Sequence, residues 1–148
     1  PKTASGKVDL ASPYLDGKYG ARLPTYRPVE SPYPLALITP ASDQRTTSTF
    51  GGQSGSDATP PLEMHPDDAR ARGLTDGALV KVWNDLGEVR LPLKVTDVIP
   101  RGVVCTLKGA WMATSDNGQT ISALCPADHA DISEGACYND ARVEVTDL

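Results

Sequence analysis

The chain has 148 residues with 14 basic and 19 acidic side chains, a formal charge of −5. That balance argues against nucleic acid or an anionic membrane surface as a partner, because phosphate groups are gathered by basic patches. An apolar fraction of 39%, only 5% aromatics, 13 Gly and 13 Pro suit one globular domain of short strands and many turns.

Residues 1–34 read as an extended arm. Pro13, Tyr14, Tyr19, Pro24, Tyr26, Pro28, Pro32, Tyr33 and Pro34 punctuate a stretch without a sustained period, suited to laying tyrosines on a surface. The core domain is expected over residues 35–148. Its first strand is the apolar run Leu35 to Ile38, which gives way to the polar loop TPASDQRTTSTFGGQ. A helix follows in MHPDDARARGL. Pro66 suits the first helical position, Asp67 and Asp68 the first turn, Arg70 and Arg72 the last, and Gly73 a left-handed stop.

The clearest strand signal comes next. Ala78 to Trp83 is apolar, and Asn84-Asp85-Leu86-Gly87 makes a hairpin turn in which Gly87 is expected to take a positive φ. The return strand puts Val89, Leu91, Leu93 and Val95 on one face, and Pro92 suggests an edge or a bulge. Val103 to Leu107 is a further apolar strand. A long irregular stretch from Lys108 to Ala136 separates it from a last strand, Ala141 to Thr146, with Ala141, Val143 and Val145 facing inward. Short strands, a short helix and two long polar loops describe a small β-barrel, and loops of that length are usually functional or disordered.

The familiar catalytic patterns GxSxG, HExxH, the Walker loop and GxGxxG are absent, so no catalytic residue is assigned. Gly51-Gly52-Gln53-Ser54-Gly55 lacks the strand–loop–helix setting of a phosphate loop. Asp128, His129 and Asp131 sit close together but lack a second partner group, and no metal ligand is assigned. Cys105, Cys125 and Cys137 read as free thiols, with a Cys125–Cys137 bridge left open. No stretch approaches the roughly 20 apolar residues that span a bilayer. The start shows no signal-peptide pattern; a cytoplasmic location is expected, with a periplasmic one as the alternative.

The loop after the first strand carries the donors a polar ligand needs: hydroxyls on Thr39, Ser42, Thr46, Thr47, Ser48 and Thr49, the Gln44 amide and the Arg45 fork. It reads either as a solvated loop or as a cradle for phosphates or a polar heterocycle. Trp111 reads either as a stacking wall or as core.

Taken in order, SGKVDL, LITPASDQRTTSTF, MHPDDARARGLTDGALVKVWNDLGEV, IPRGVV with KGAW, and ACYNDARVEV resemble the C-terminal dinucleotide-binding domain of the molybdenum/tungsten bis-pterin-guanine-dinucleotide oxidoreductases, the group of formate dehydrogenases and dimethyl sulfoxide reductase-like enzymes. The resemblance implies a double-psi β-barrel contacting one pyranopterin guanine dinucleotide, a molybdopterin cofactor of molybdenum or tungsten. It implies contacts from Thr39, Pro40, Ala41, Ser42, Gln44, Arg45, Thr46, Thr47 and Ser48, and from Ser122, Tyr138 and Asn139. Thr47 and Ser122 stand where relatives carry Asn, each shorter by an amide. The metal ligand and redox centres lie in earlier domains of such enzymes, so the chain, which opens on Pro1, is expected to be a fragment of a larger catalytic subunit. Its partners would be the preceding domains and an iron–sulfur electron-transfer subunit, and the isolated piece is expected to hold the cofactor weakly or not at all. The alternative is a self-standing double-psi barrel acting as a binding or adaptor module without pterin. One such barrel is a self-processing decarboxylase, whose cleavage dipeptide Gly55-Ser56 superficially matches.

Overall fold

A computed structural model describes residues 1–23, 25–43, 45–51, 59–130 and 133–148. They form two compact units, Pro1–Glu30 and Ser31–Leu148. In the first unit, α1 (Pro13–Tyr19) is a short helix written by its ends: Ser12 accepts from the Leu15 N–H, Pro13 occupies the first turn, and Gly20 closes it at φ 63°. The arm is therefore not extended throughout. Within that unit Tyr14 and Tyr26 are exposed, whereas Tyr33, which belongs to the second unit, meets the Trp83 ring edge-on at 5.5 Å. Lys18 lies over the rings of both Tyr14 and Tyr19.

The second unit is a closed six-stranded double-psi barrel in the order β1-β5-β2-β4-β3-β6. Its strands are β1 (Leu35–Ile38), β2 (Leu62–Met64), β3 (Leu79–Asn84), β4 (Gly87–Val95), β5 (Val103–Cys105) and β6 (Arg142–Asp147). Inward positions follow the period of two: Leu35 and Leu37, Leu62 and Met64, Val80 and Val82, Val89, Leu91 and Leu93, Val143 and Val145 are all buried. Closure removes any open sheet edge. The helix α2 (Pro66–Ala71) adds Ala69 to the core, ends before Gly73 at φ 67°, and is tied to β6 by Arg72–Glu144 at 2.6 Å.

Two expectations about β4 need correction. Gly87 does not take a positive φ. The hairpin instead turns through Asp85 and Leu86, with the Asn84 side-chain oxygen accepting from the Leu86 N–H at 2.9 Å. Pro92 marks neither an edge nor a bulge. Leu93 exchanges its hydrogen bonds with Ala78 and Gly77 on the β3 side, so the Pro92 nitrogen points toward β2, whose pairing begins only at Leu62–Leu93.

Strand direction fixes where the long loops emerge. β1 and β5 run parallel, pairing Ala36 with Val103 and Ile38 with Cys105, so both chains leave the barrel at the same end. β6 runs antiparallel to β1 and enters there, and the start of β4 lies at that end as well. The parallel course continues past the strands, with Thr106 N–H donating to Ile38 O and Lys108 N–H to Pro40 O.

Candidate functional site

That shared end of the barrel carries two open grooves. One, of about 420 Å³, is lined by Ile38, Thr39, Pro40, Lys108, Tyr138 and Asn139. The other, of about 250 Å³, is lined by Thr47, Ser48, Lys108, Gly109, Ala110, Thr120, Ile121 and Ser122. Lys108 borders both, so the two read as halves of one trough with a cation between them. Segments from after β1, after β5, from the 3-10 turn Ile121–Leu124 and from the 3-10 turn Tyr138–Asp140 all reach it.

Of the residues that the sequence nominates, Thr39, Pro40, Tyr138 and Asn139 meet in the first groove, and Thr47, Ser48 and Ser122 in the second. Ala41, Ser42, Arg45 and Thr46 line neither of these two grooves. Gln44 lies outside the described residues, as do Asp131, Pro24 and the stretch 52–58 that holds Gly52, Gln53, Ser54, Gly55 and Ser56. Lys108, Gly109, Ala110, Thr120 and Ile121 are additions. For Lys108, Gly109 and Ala110 the one prior signal was the KGAW segment, whose position beside the first loop depends on the β1–β5 pairing; Thr120 and Ile121 adjoin the nominated Ser122.

The two loops are joined by backbone-level contacts. Arg45 Nη1 donates to the Gly109 carbonyl at 3.1 Å. Gly109 has φ 100°, and a β-carbon there would stand 2.0 Å from the Thr47 carbonyl oxygen. Only glycine permits this approach. Trp111 Nε1 donates to Ser48 O at 2.6 Å, and Gly51 packs on the same indole. On the far side, Asn84 Nδ2 donates to Leu124 O at 2.9 Å and to Arg142 O at 3.0 Å, pinning the turn that carries Ser122 to the start of β6.

The donor set comprises hydroxyls from Thr39, Thr47, Ser48, Thr120 and Ser122, a phenol, an amide and an ammonium. It suits a long polar ligand carrying negative charge, and it holds no general base paired with a nucleophile. Among the described residues no cluster of three metal-ligating side chains occurs, and no helix is long and apolar enough to cross a membrane. Cys105 and Cys125 are free thiols. Burial pushes the Cys105 and Cys125 thiols above the ordinary range, with the Glu63 charge adding to the effect at Cys105.

Known proteins resemble this chain along most of its length. The probable oxidoreductase YoaE of Bacillus subtilis is 30% identical over 148 residues, 97% of this chain and 22% of that protein. The dimethyl sulfoxide/trimethylamine N-oxide reductase of Rhodobacter capsulatus is 48% identical over 56 residues, 38% of this chain and 7% of the reductase. Acetylene hydratase from Pelobacter acetylenicus shares the fold, with a TM-score of 0.75 at 21% identity over 99% of this chain and 24% of the hydratase chain. The chain thus spans less than a quarter of each. Residues 35–142, from the first residue of β1 to the first of β6, match the Molydopterin dinucleotide binding domain, and the chain belongs to that family.

Proposed function

We propose that this chain is the cofactor-binding domain of a larger molybdopterin-dependent oxidoreductase, holding one pyranopterin guanine dinucleotide of a molybdenum or tungsten cofactor in the trough at its loop end. The observation that supports the reading is the convergence of sequence-distant polar residues on two grooves that share Lys108. A dinucleotide has a charged diphosphate flanked by polar ring systems, and a cation flanked by hydroxyl-lined grooves suits that order of groups. The cofactor supplies the redox chemistry when bound. The chain's own residues bind and orient it: Lys108 neutralises negative charge, Thr39, Thr47, Ser48, Ser122 and Asn139 offer hydrogen bonds, and the Arg45–Gly109 contact holds the two loops in register.

The remaining domains of the same polypeptide would close over the ligand's other side, and an iron–sulfur subunit would carry electrons. A cytoplasmic location is the reading that the free thiols Cys105 and Cys125 fit. Gripping from one side only, the isolated chain binds the dinucleotide weakly; a sub-micromolar dissociation constant by calorimetry would contradict this. The decisive experiment is Lys108→Gln in the full-length polypeptide, with dinucleotide content read from the fluorescent pterin released on denaturation. Content falls if the trough is the site, and wild-type content would refute the assignment.

A further inference from the structure

Trp111 is left between two readings by its sequence, and the structure decides against core: 42% of its surface is exposed. It is nonetheless rigidly placed. Its Nε1 donates to the Ser48 carbonyl at 2.6 Å, which fixes the ring's azimuth. A β-carbon built on Gly51 would lie 2.2, 2.2 and 2.4 Å from Cε2, Nε1 and Cδ1 of the indole. Near-equal distances to three adjacent ring atoms put that point over the face of the five-membered ring, not at its edge. Gly51 therefore covers one face at contact range, and only a residue without a side chain fits there. Gly51 occupies one face only, and the residue as a whole keeps 42% of its surface exposed. Ser48, which receives the indole N–H, and Ala110, the residue before Trp111, both line the groove beside Lys108.

An exposed tryptophan is ordinarily mobile. One that is hydrogen-bonded at its nitrogen and backed by a glycine presents a fixed flat surface, the arrangement that stacks on a planar ring at little entropic cost. We propose that Trp111 is the stacking platform for a planar heterocycle of the bound dinucleotide. The inference rests on the reading of the trough given above. Guanine and pterin share the required chemistry, a flat heteroaromatic bicycle with an amino-oxo pyrimidine edge, and the experiment separates them.

The chain contains two tryptophans, Trp83 and Trp111. Trp83→Phe removes a buried indole N–H that has no partner, a mild change that leaves Trp111 as the sole tryptophan emitter. In that variant, GDP and 6-carboxypterin are titrated separately, with emission and calorimetric heat followed in parallel to about 10 mM, a range that captures a millimolar site. One of the two quenches Trp111 saturably. Stacking of a base on an aromatic side chain is commonly lost as about tenfold in affinity on truncation, so Trp111→Ala weakens binding by about that factor. Trp111→Phe, which keeps a ring but not the hydrogen bond to Ser48, restores part of it and controls for folding. Binding heat without quenching, together with unchanged affinity in Trp111→Ala, would overturn the platform and leave the trough intact. Neither heat nor quenching from either compound would also overturn the platform, and the trough then stands or falls on the Lys108 content measurement.

Discussion

Arg45 Nη1 donates to the carbonyl of Gly109 at 3.1 Å, closing a contact between residues 64 positions apart. A guanidinium that composition suggests for phosphate is thus at least partly engaged in joining the two loops that line the trough. The distinction has a measurable consequence in the full-length polypeptide. Arg45→Ala releases the Gly109 segment and lowers dinucleotide content. Arg45→Lys keeps the charge but not the planar fork, so it recovers little if geometry is the main contribution and most of it if charge is. Wild-type content in Arg45→Ala would remove Arg45 from the site altogether.

Gly109 offers a sharper case, because its constraint is steric. At φ 100° and with the Thr47 carbonyl oxygen 2.0 Å from any added β-carbon, alanine fits only if the loops part. Gly109→Ala is expected to cost about 1–3 kcal/mol of stability, the usual range for a forced backbone conformation. It should also lower dinucleotide content, because the loops that line the trough must part to admit the methyl group. Denaturant unfolding and pterin release measure the two effects separately. A Gly109→Ala protein with unchanged stability and full ligand content would show that the loops are not held as described.

Much of this architecture is legible in residue order, and what is not has an identifiable cause. The alternation Val89-Leu91-Leu93 and Ala141-Val143-Val145 exposes the barrel strands because burial on one face imposes a period of two. Pro66, Asp67 and Gly73 mark α2 because helix ends have chemical requirements of their own. β2 is hidden: Leu62–Met64 is three residues long, too short to display any period beside Pro60 and Pro61. α1 escapes a periodicity reading because it buries nothing, although Ser12, Pro13 and Gly20 spell both its ends. Thr39 and Thr47 are nominated from a local loop and its family resemblance, yet Lys108 and Gly109 face them only because β1 and β5 run parallel. That pairing is a non-local property, and no local pattern encodes it.

Asn84 illustrates how a turn residue can support a distant groove. Its side chain donates to Leu124 O and Arg142 O and accepts from the Leu86 N–H, all between 2.9 and 3.0 Å. Asn84→Ala leaves two carbonyls and one amide short of a partner in a half-buried setting, and about 2 kcal/mol of stability should be lost. Asn84→Asp keeps the turn acceptor but cannot donate, so it should recover only part of the loss. Urea unfolding distinguishes the two variants. Equal stability of Asn84→Ala and wild type would mean that water replaces these bonds without cost.

Asp67 makes acid sensitivity predictable in sign. Arg70 Nη1 donates to its carboxylate at 2.6 Å, and this hydrogen bond holds the carboxyl below its usual range against an opposing desolvation. The charge of Arg101 at 3.6 Å acts in the same direction as Arg70. Because the folded carboxyl is the more acidic, the unfolded chain binds more protons between the two values. The interaction therefore contributes fully above the unfolded carboxylate range and is lost as pH falls through the folded one. Asp67→Asn keeps the side-chain shape without the charge. Its melting temperature should lie below that of wild type at neutral pH and approach it as the pH drops beneath the carboxylate range. The pairs are solvent-accessible, so the neutral-pH gap should also narrow in high salt. Thermal melts of both proteins across that pH series measure it, and a gap that does not change with pH would show that Asp67 contributes through its backbone position alone.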